Sequence, residues 1–144
     1  WYIYIMTAKL IDEKRRKDFQ VMVLPNLYGD IVTDVAADHQ CGLGTASSSN
    51  IGNRYALFEA IHGTAPRLIE RGCGDYADPC SLIRAMGMML AHIGYADRKM
   101  LLEKELDICT ITERKLVVTR RKEDASAEEF TTYLLETIDR IKEE

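Results

Sequence analysis

The chain has 144 residues, 47% hydrophobic and 29% charged, the make-up of one folded unit able to bury a core, which excludes disordered and fibrous classes. A formal net charge of -4, with no basic stripe interleaved with aromatics, argues against a nucleic-acid partner. No apolar run approaches the length needed to span a bilayer, so no membrane partner is expected, and the expected compartment is the cytoplasm, or the mitochondrial matrix in a eukaryote.

In chain order, Trp1 to Met6 is apolar, aromatic and β-prone, and it opens with no leader or cap, as though the sequence were entered midway through a domain. Thr7 to Lys17 has helix formers, with Leu10 and Ile11 on one side and a basic last turn, and predicts a helix. Gln20 to Leu24 is short and Val-rich, is closed by Pro25, and suits a strand buried on both faces of a mainly parallel sheet. The run Asn26-Leu-Tyr-Gly-Asp-Ile-Val-Thr-Asp34 then places two carboxylates four residues apart. If this run is helical, Asp30 and Asp34 share one face and offer hard oxygen donors to one Mg²⁺ or Mn²⁺. For an isolated pair at this spacing, helix capping and contact with water is the simpler role.

Cys41 to Arg54 is rich in Gly, Ser and Asn and reads as a loop, open enough for a phosphate to approach but matching neither G-x-G-x-x-G nor a Walker A loop. Tyr55 to Ile61 is strand-like, and His62-Gly63-Thr64-Ala65-Pro66 turns it into a helix from about Ala65 to Glu70. A ring, a bare backbone and a hydroxyl at that turn could seat adenine and ribose, although a hydrogen-bonded structural histidine is the plainer role. Pro79 starts a long helix through Gly94, with Ile83, Met86, Met89, Leu90 and Ile93 at helical spacing, a stripe that belongs in a core or a subunit interface. A helix over Asp97 to Leu106 and a strand over Lys115 to Thr119 follow. Asp124 or Ser126 caps a last helix, Ala127 to Lys142, with Phe130, Tyr133, Leu134 and Ile138 inward. The alternation of strand and helix gives an α/β class. Cys41, Cys73, Cys80 and Cys109 form no C-x-x-C pair and are expected as buried or half-buried thiols, and His39 with Cys41 is too few donors for a metal site.

Taken together, Leu24 to Asp34, Gly42-Leu-Gly44, Ser49-Asn-Ile-Gly52 and Ala56-Leu-Phe-Glu-Ala-Ile-His-Gly-Thr-Ala-Pro66 closely resemble the isocitrate and isopropylmalate dehydrogenases, the metal-dependent β-decarboxylating dehydrogenase family. The Asn50-Ile51-Gly52, Phe58-Glu59-Ala60 and His62-Gly63-Thr64-Ala65-Pro66 segments are more similar to the isocitrate branch. The resemblance implies that family's three-layer αβα fold. It implies that residues 1–40 are a remnant of the central substrate and dimerisation region, and 41–144 the carboxyl-terminal part of the large cofactor-binding domain. It also implies a mechanism in which Mg²⁺ or Mn²⁺ chelates a 2-hydroxy acid, hydride passes to a nicotinamide cofactor, and the metal stabilises the enolate left by CO₂ loss. Asp30 and Asp34 would be metal ligands. His62, Gly63, Thr64, Ala65, Pro66, Arg67 and Leu68, with Asp78, would line the adenosine site.

The family's substrate-binding serine and arginines and its catalytic tyrosine and lysine lie upstream of the matched motifs, so the resemblance implies a piece of a longer enzyme, inactive alone, with no catalytic residue in this stretch. The family's third metal aspartate, given by a neighbouring protomer, falls near Ile5 or Met6, neither of which binds a hard cation. Arg67 suits the 2′-phosphate of NADP, but Leu68 lacks the tyrosine hydroxyl of NADP-linked members and the Asp78 charge opposes a phosphate; the balance favours NAD, with NADP the alternative. A homodimer or larger assembly is expected, because the family builds each active site across two protomers. The rival expectations are the isopropylmalate, homoisocitrate or tartrate branch, and a non-catalytic regulatory or nucleotide-binding relative.

Overall fold

A computed structural model describes residues 2–39 and 46–142. The chain divides into two compact units, Trp1–Leu43 and Gly44–Glu144. Cys41 and the Gly42-Leu-Gly44 motif lie outside the described residues.

In the first unit, the β-prone opening is helical: α1 covers Ile3–Ile11. Met6 and Leu10, one turn apart, are buried against Val32 with Ile3, Phe19 and Leu24 around them, so tertiary packing overrides the β preference of the opening residues. The helix does not reach Lys17. Asp12 leaves helical geometry, and its Oδ1 accepts the backbone N–H groups of Lys14 (2.9 Å) and Arg15 (3.1 Å), which starts a separate 3₁₀ turn at Arg15–Asp18. Gln20 to Leu24 is not a strand. Val21 and Val23 are 85% and 93% exposed, and no strand lies beside them among the described residues. α2 follows at Asn26–Asp38, with Val32 and Ala37 buried.

The second unit opens on a hairpin. β1 (Ser47–Ile51) pairs antiparallel with β2 (Ala56–Ala60), Ser47 opposite Ala60 and Ile51 opposite Ala56. The polar β1 sequence, read above as loop, is a strand because its backbone finds a partner in β2 and its side chains find α4 (Cys80–His92). Ser81 Oγ donates to the Ala46 carbonyl, Ser47 Oγ reaches Met88 Sδ at 3.0 Å, and the Phe58 and His92 rings lie 5.4 Å apart.

The short helix α3 (Pro66–Glu70) comes between β2 and α4. Gly94, at φ 97°, ends α4 while the Tyr95 N–H donates to the Leu90 carbonyl (2.8 Å), a reversal that a left-handed glycine permits. α5 (Ala96–Asp107) runs on into a π-helical turn, Ile108–Glu113, which periodicity did not reveal. The expected strand at Lys115 to Thr119 is irregular backbone held by apolar anchors: Leu116 and Val118 pack against the core formed by Cys80, Leu106, Cys109, Phe130, Tyr133 and Leu134.

α6 (Ala127–Lys142) supplies three of those core residues. Its cap is Ser126, not Asp124: the Glu129 carboxylate accepts the Ser126 N–H and hydroxyl at 2.8 and 2.9 Å, and Ser126 Oγ accepts the Glu129 N–H at 3.2 Å. The α4 stripe is divided: Ile83 packs against the core and Leu90 is half-buried, whereas Met86, Met89 and Ile93, with Leu82 beside them, are exposed, and the fully buried positions are the small ones, Cys80, Ser81, Ala85 and Gly87. Close approach of neighbouring elements selects small side chains there.

Candidate functional site

Two sets of residues are of interest, one in each unit. In the first, α2 places Asp30 and Asp34 one turn apart on its exposed side, opposite buried Val32. Among the described residues neither carboxylate takes part in an ion pair or hydrogen bond, so both keep their oxygens for a ligand. Their donor chemistry fits a hard divalent cation, but two carboxylates are half a site: no group of three metal-binding side chains occurs among the described residues. Met6, near the position where the resemblance calls for a third aspartate, is a buried core residue.

In the second unit, β2 delivers the chain to His62. The ring Nδ1 of His62 lies 3.1 Å from the Gly63 carbonyl oxygen, a contact in which the carbonyl accepts from Nδ1–H. A methyl group built on Gly63 would meet nothing within 4 Å, so the backbone there faces open space that a flat ring or a sugar can approach. Ala65 sits in the left-handed region at φ 48°, ψ 54° immediately before Pro66. That is a costly conformation for a residue with a Cβ, and proline after it restricts it further. The kink turns the chain into α3.

Beyond the kink lies a cavity of about 470 Å³. Ala65, Pro66, Arg67 and Leu68 line one side with Arg71, and Thr119, Arg120 and Arg121 line the other. The structure therefore gathers four of the expected adenosine-site residues around one space. His62, Gly63 and Thr64 form the exposed turn leading to it, outside its lining. Asp78 is elsewhere employed: its Oδ1 accepts the Cys80 N–H at 2.9 Å at the start of α4. Burial, and then the Asp78 carboxylate, push the Cys80 thiol well above its ordinary range, so it is no nucleophile.

Sequence reading missed Arg71, Thr119, Arg120 and Arg121. The available signal was the run of three cations, Arg120-Arg121-Lys122, after the apolar Leu116 to Val118.

A model of the isocitrate/isopropylmalate dehydrogenases matches residues 1–132. The chain belongs to the isocitrate/isopropylmalate dehydrogenase family. It is similar to the NADP-type isocitrate dehydrogenase of Rickettsia prowazekii (strain Madrid E), 46% identical over 103 residues, covering 72% of this chain and 20% of that protein. It is also similar to a regulatory component of the mitochondrial NAD-type isocitrate dehydrogenase of Dictyostelium discoideum, 42% identical over 119 residues, covering 82% and 32%. The crystal structure of isocitrate dehydrogenase from Methylococcus capsulatus superposes with a TM-score of 0.78 at 32% identity, covering 94% of this chain and 39% of that one. The fold is thus of the family's α/β type. The chain spans a fifth to a third of the length of the two relatives from Rickettsia and Dictyostelium. No helix among the described residues is long and apolar enough to cross a membrane. Family membership implies an NAD(P) cofactor and a divalent metal.

Proposed function

We propose that this chain is the carboxyl-terminal part of an NAD(P)-dependent isocitrate dehydrogenase, which oxidatively decarboxylates isocitrate to 2-oxoglutarate, and that it is inactive alone. The observation that carries this reading is the cavity beyond the strained Ala65-Pro66 kink, built from the segment that resembles the family's adenosine site. Gly63 admits the adenosine, Ala65 sets the wall, and Arg67 and its neighbours take the phosphate-bearing end.

Asp30 and Asp34 would hold Mg²⁺ or Mn²⁺ with donors from the rest of the enzyme. When bound, that ion supplies Lewis-acid polarisation of the 2-hydroxy acid substrate. The residues of this chain bind and orient; none of them moves a proton to or from the reacting carbon. We assign residues 1–40 to the central substrate and dimerisation region and the rest to the cofactor-binding domain, within a homodimer or larger assembly working in the cytoplasm or mitochondrial matrix.

The test is calorimetric titration of the chain with Mn²⁺. Weak binding in the range of about 10⁻³ M, the weak end for carboxylate sites, is expected for the wild type and is lost in Asp30→Asn and Asp34→Asn. Identical titrations of all three proteins would remove the metal assignment.

A second reading, a regulatory relative without catalysis, is favoured by one observation: Met6 is buried near the expected position of the third aspartate. Restoring a carboxylate there tests it, since a gain in Mn²⁺ affinity in a full-length assembly supports a lost metal site and no gain supports the catalytic reading with a ligand from elsewhere.

A further inference from the structure

α5 carries a carboxylic acid in surroundings that give it nothing to bind. Glu105 is 0% exposed, as are Leu106 beside it and Cys109 one turn further on, and neither of its carboxylate oxygens has a hydrogen-bond partner among the described residues. A buried carboxyl without partners is favoured as the neutral acid, because the charged form gives up its hydration and receives no compensating contact. Burial accordingly raises its pKa, against the pull of Lys104 and Arg140.

The charged and titratable groups packed around α5 are committed elsewhere. On α4, Arg84 pairs with Asp107 at 2.9 Å and the His92 ring lies against Phe58. On α5 itself, Lys99 pairs with Glu103, and Lys104 is exposed. In the π turn, the Cys109 thiol donates to Thr137 Oγ1 of α6 at 3.6 Å, and Glu113 accepts from Tyr133 Oη and Arg140 of α6 at 2.6 and 2.7 Å and from Lys115 at 2.8 Å. The other carboxylates in that half of α6, Glu136 and Asp139, are exposed. Arg140, the cation that α6 brings to bear on Glu105, is thus held by a rival carboxylate.

The backbone between the two carboxylates is of an uncommon kind. α5 passes into the π turn at Ile108, and Arg114, directly after the turn, is left-handed at φ 48°, ψ 39°. Such features are costly, gather at functional sites, and persist where neighbouring contacts hold them. Here the holding contacts are those of Glu113. The segment joining α5 to α6 is therefore fastened at one end by a carboxylate that must be charged, and begins beside one that must be neutral.

We infer that Glu105, the π turn and the carboxyl-terminal half of α6 form a proton-operated latch. With Glu105 neutral, that half of α6 stays seated on α5. When Glu105 gives up its proton, the new charge draws in water and unseats α6 while the rest of the unit stays folded. The seated form holds this proton more tightly than the open form, in which the carboxyl has the ordinary value of about 4.3. Seating is therefore strengthened below that value and weakens as pH rises through the raised one. Glu113, held down to about 2, sets the acid limit of the closed range.

Cys109 reports the opening, because it is fully covered when α6 is seated, and the half-buried thiol of Cys73 serves as the reference. The experiment is maleimide labelling of the 144-residue chain between about pH 5 and about pH 8.5, with the two sites read by peptide mass mapping and folding followed by circular dichroism. The ratio of Cys109 to Cys73 labelling removes the increase in thiolate that both sites share. In the wild type this ratio is expected to rise at least about tenfold across the range, as one proton is lost per opening. In Glu105→Gln and Glu105→Leu it is expected to stay level. Leucine is included because a buried amide would also lack partners.

A level ratio in the wild type overturns the inference, and so does a rise that survives in either folded variant, since another group then controls the opening. A rise that coincides with loss of the helical signal overturns it as well, because the chain then unfolds as a whole and no latch is involved.

Discussion

The acidic pair on α2 and the arginines around the cavity are positioned by different means. Asp30 and Asp34 share a face because helical periodicity puts them there, on a unit whose core has Met6, Leu10 and Val32 as its buried residues. The arginines meet because Leu116 and Val118 tie a stretch of irregular backbone to the larger core of Leu106, Cys109 and Phe130. A site made by one helix needs little from the remainder of its unit, whereas a site made by two distant segments depends on everything that holds them together.

That difference can be broken most severely at the larger core. Phe130, 2% exposed, should cost about 3–5 kcal/mol when changed to Ala, read by denaturant unfolding, and nucleotide binding should fail with it. Val32→Ala should cost about 1–3 kcal/mol and leave nucleotide binding intact. Loss of nucleotide binding in the Val32 variant would show that the two sets of residues are not independently supported.

A smaller effect is expected at Glu113, which links the π turn to α6. Its carboxylate accepts from Tyr133 Oη (2.6 Å), Lys115 Nζ (2.8 Å) and Arg140 (2.7 Å). The hydrogen bond from Lys115, and then those from Tyr133 and Arg140, hold its pKa down to about 2. Since the folded form releases this proton more readily than the unfolded chain, the stability it contributes is present above the ordinary carboxylate range and is lost as pH falls toward about 2. Glu113→Gln should lower the melting temperature at neutral pH and flatten the acid limb; superimposable pH profiles would remove the linkage.

Glu105 on α5 has the opposite sign. It is fully buried, and neither carboxylate oxygen has a hydrogen-bond partner among the described residues. Burial raises its pKa, outweighing the opposing pull of Lys104 and Arg140. The folded form holds this proton more tightly, so its contribution is present at low pH and is lost as pH rises through the raised value. Glu105→Gln should therefore raise the neutral-pH melting temperature, and a fall would show that the carboxylate has a favourable partner.

The smallest effect is expected at the kink, where Ala65→Gly should relieve left-handed strain and stabilise the second unit by about 1 kcal/mol or less, glycine's greater unfolded-state freedom offsetting part of the gain. Destabilisation would mean that the Ala65 methyl packs better than its backbone suggests.

What could be read from residues alone follows the same division. Local, periodic features were legible: the α2 carboxylates, the α6 core face of Phe130, Tyr133 and Leu134, and the Pro66 start of α3. Features created by distant partners were not. Ser47–Ile51 is a strand only because β2 and α4 receive it, and α1 is a helix only because Met6 and Leu10 meet Val32. Gln20 to Leu24 failed for the converse reason, having strand-like residues with no strand to join among those described. Arg120 and Arg121 were not singled out, since nothing local reports that they share a cavity with Arg67.

The exposed stripe on α4 has a practical consequence for anyone handling the molecule. Leu82, Met86, Met89 and Ile93 give a ribbon of oil about three turns long along a helix whose other side is fastened to the hairpin and α5. In concentrated solution that ribbon makes the protein sticky, so light scattering should rise with concentration and fall with mild detergent. Met86 and Met89 also give oxidants a foothold there, and conversion to the sulfoxide would trade stickiness for wettability.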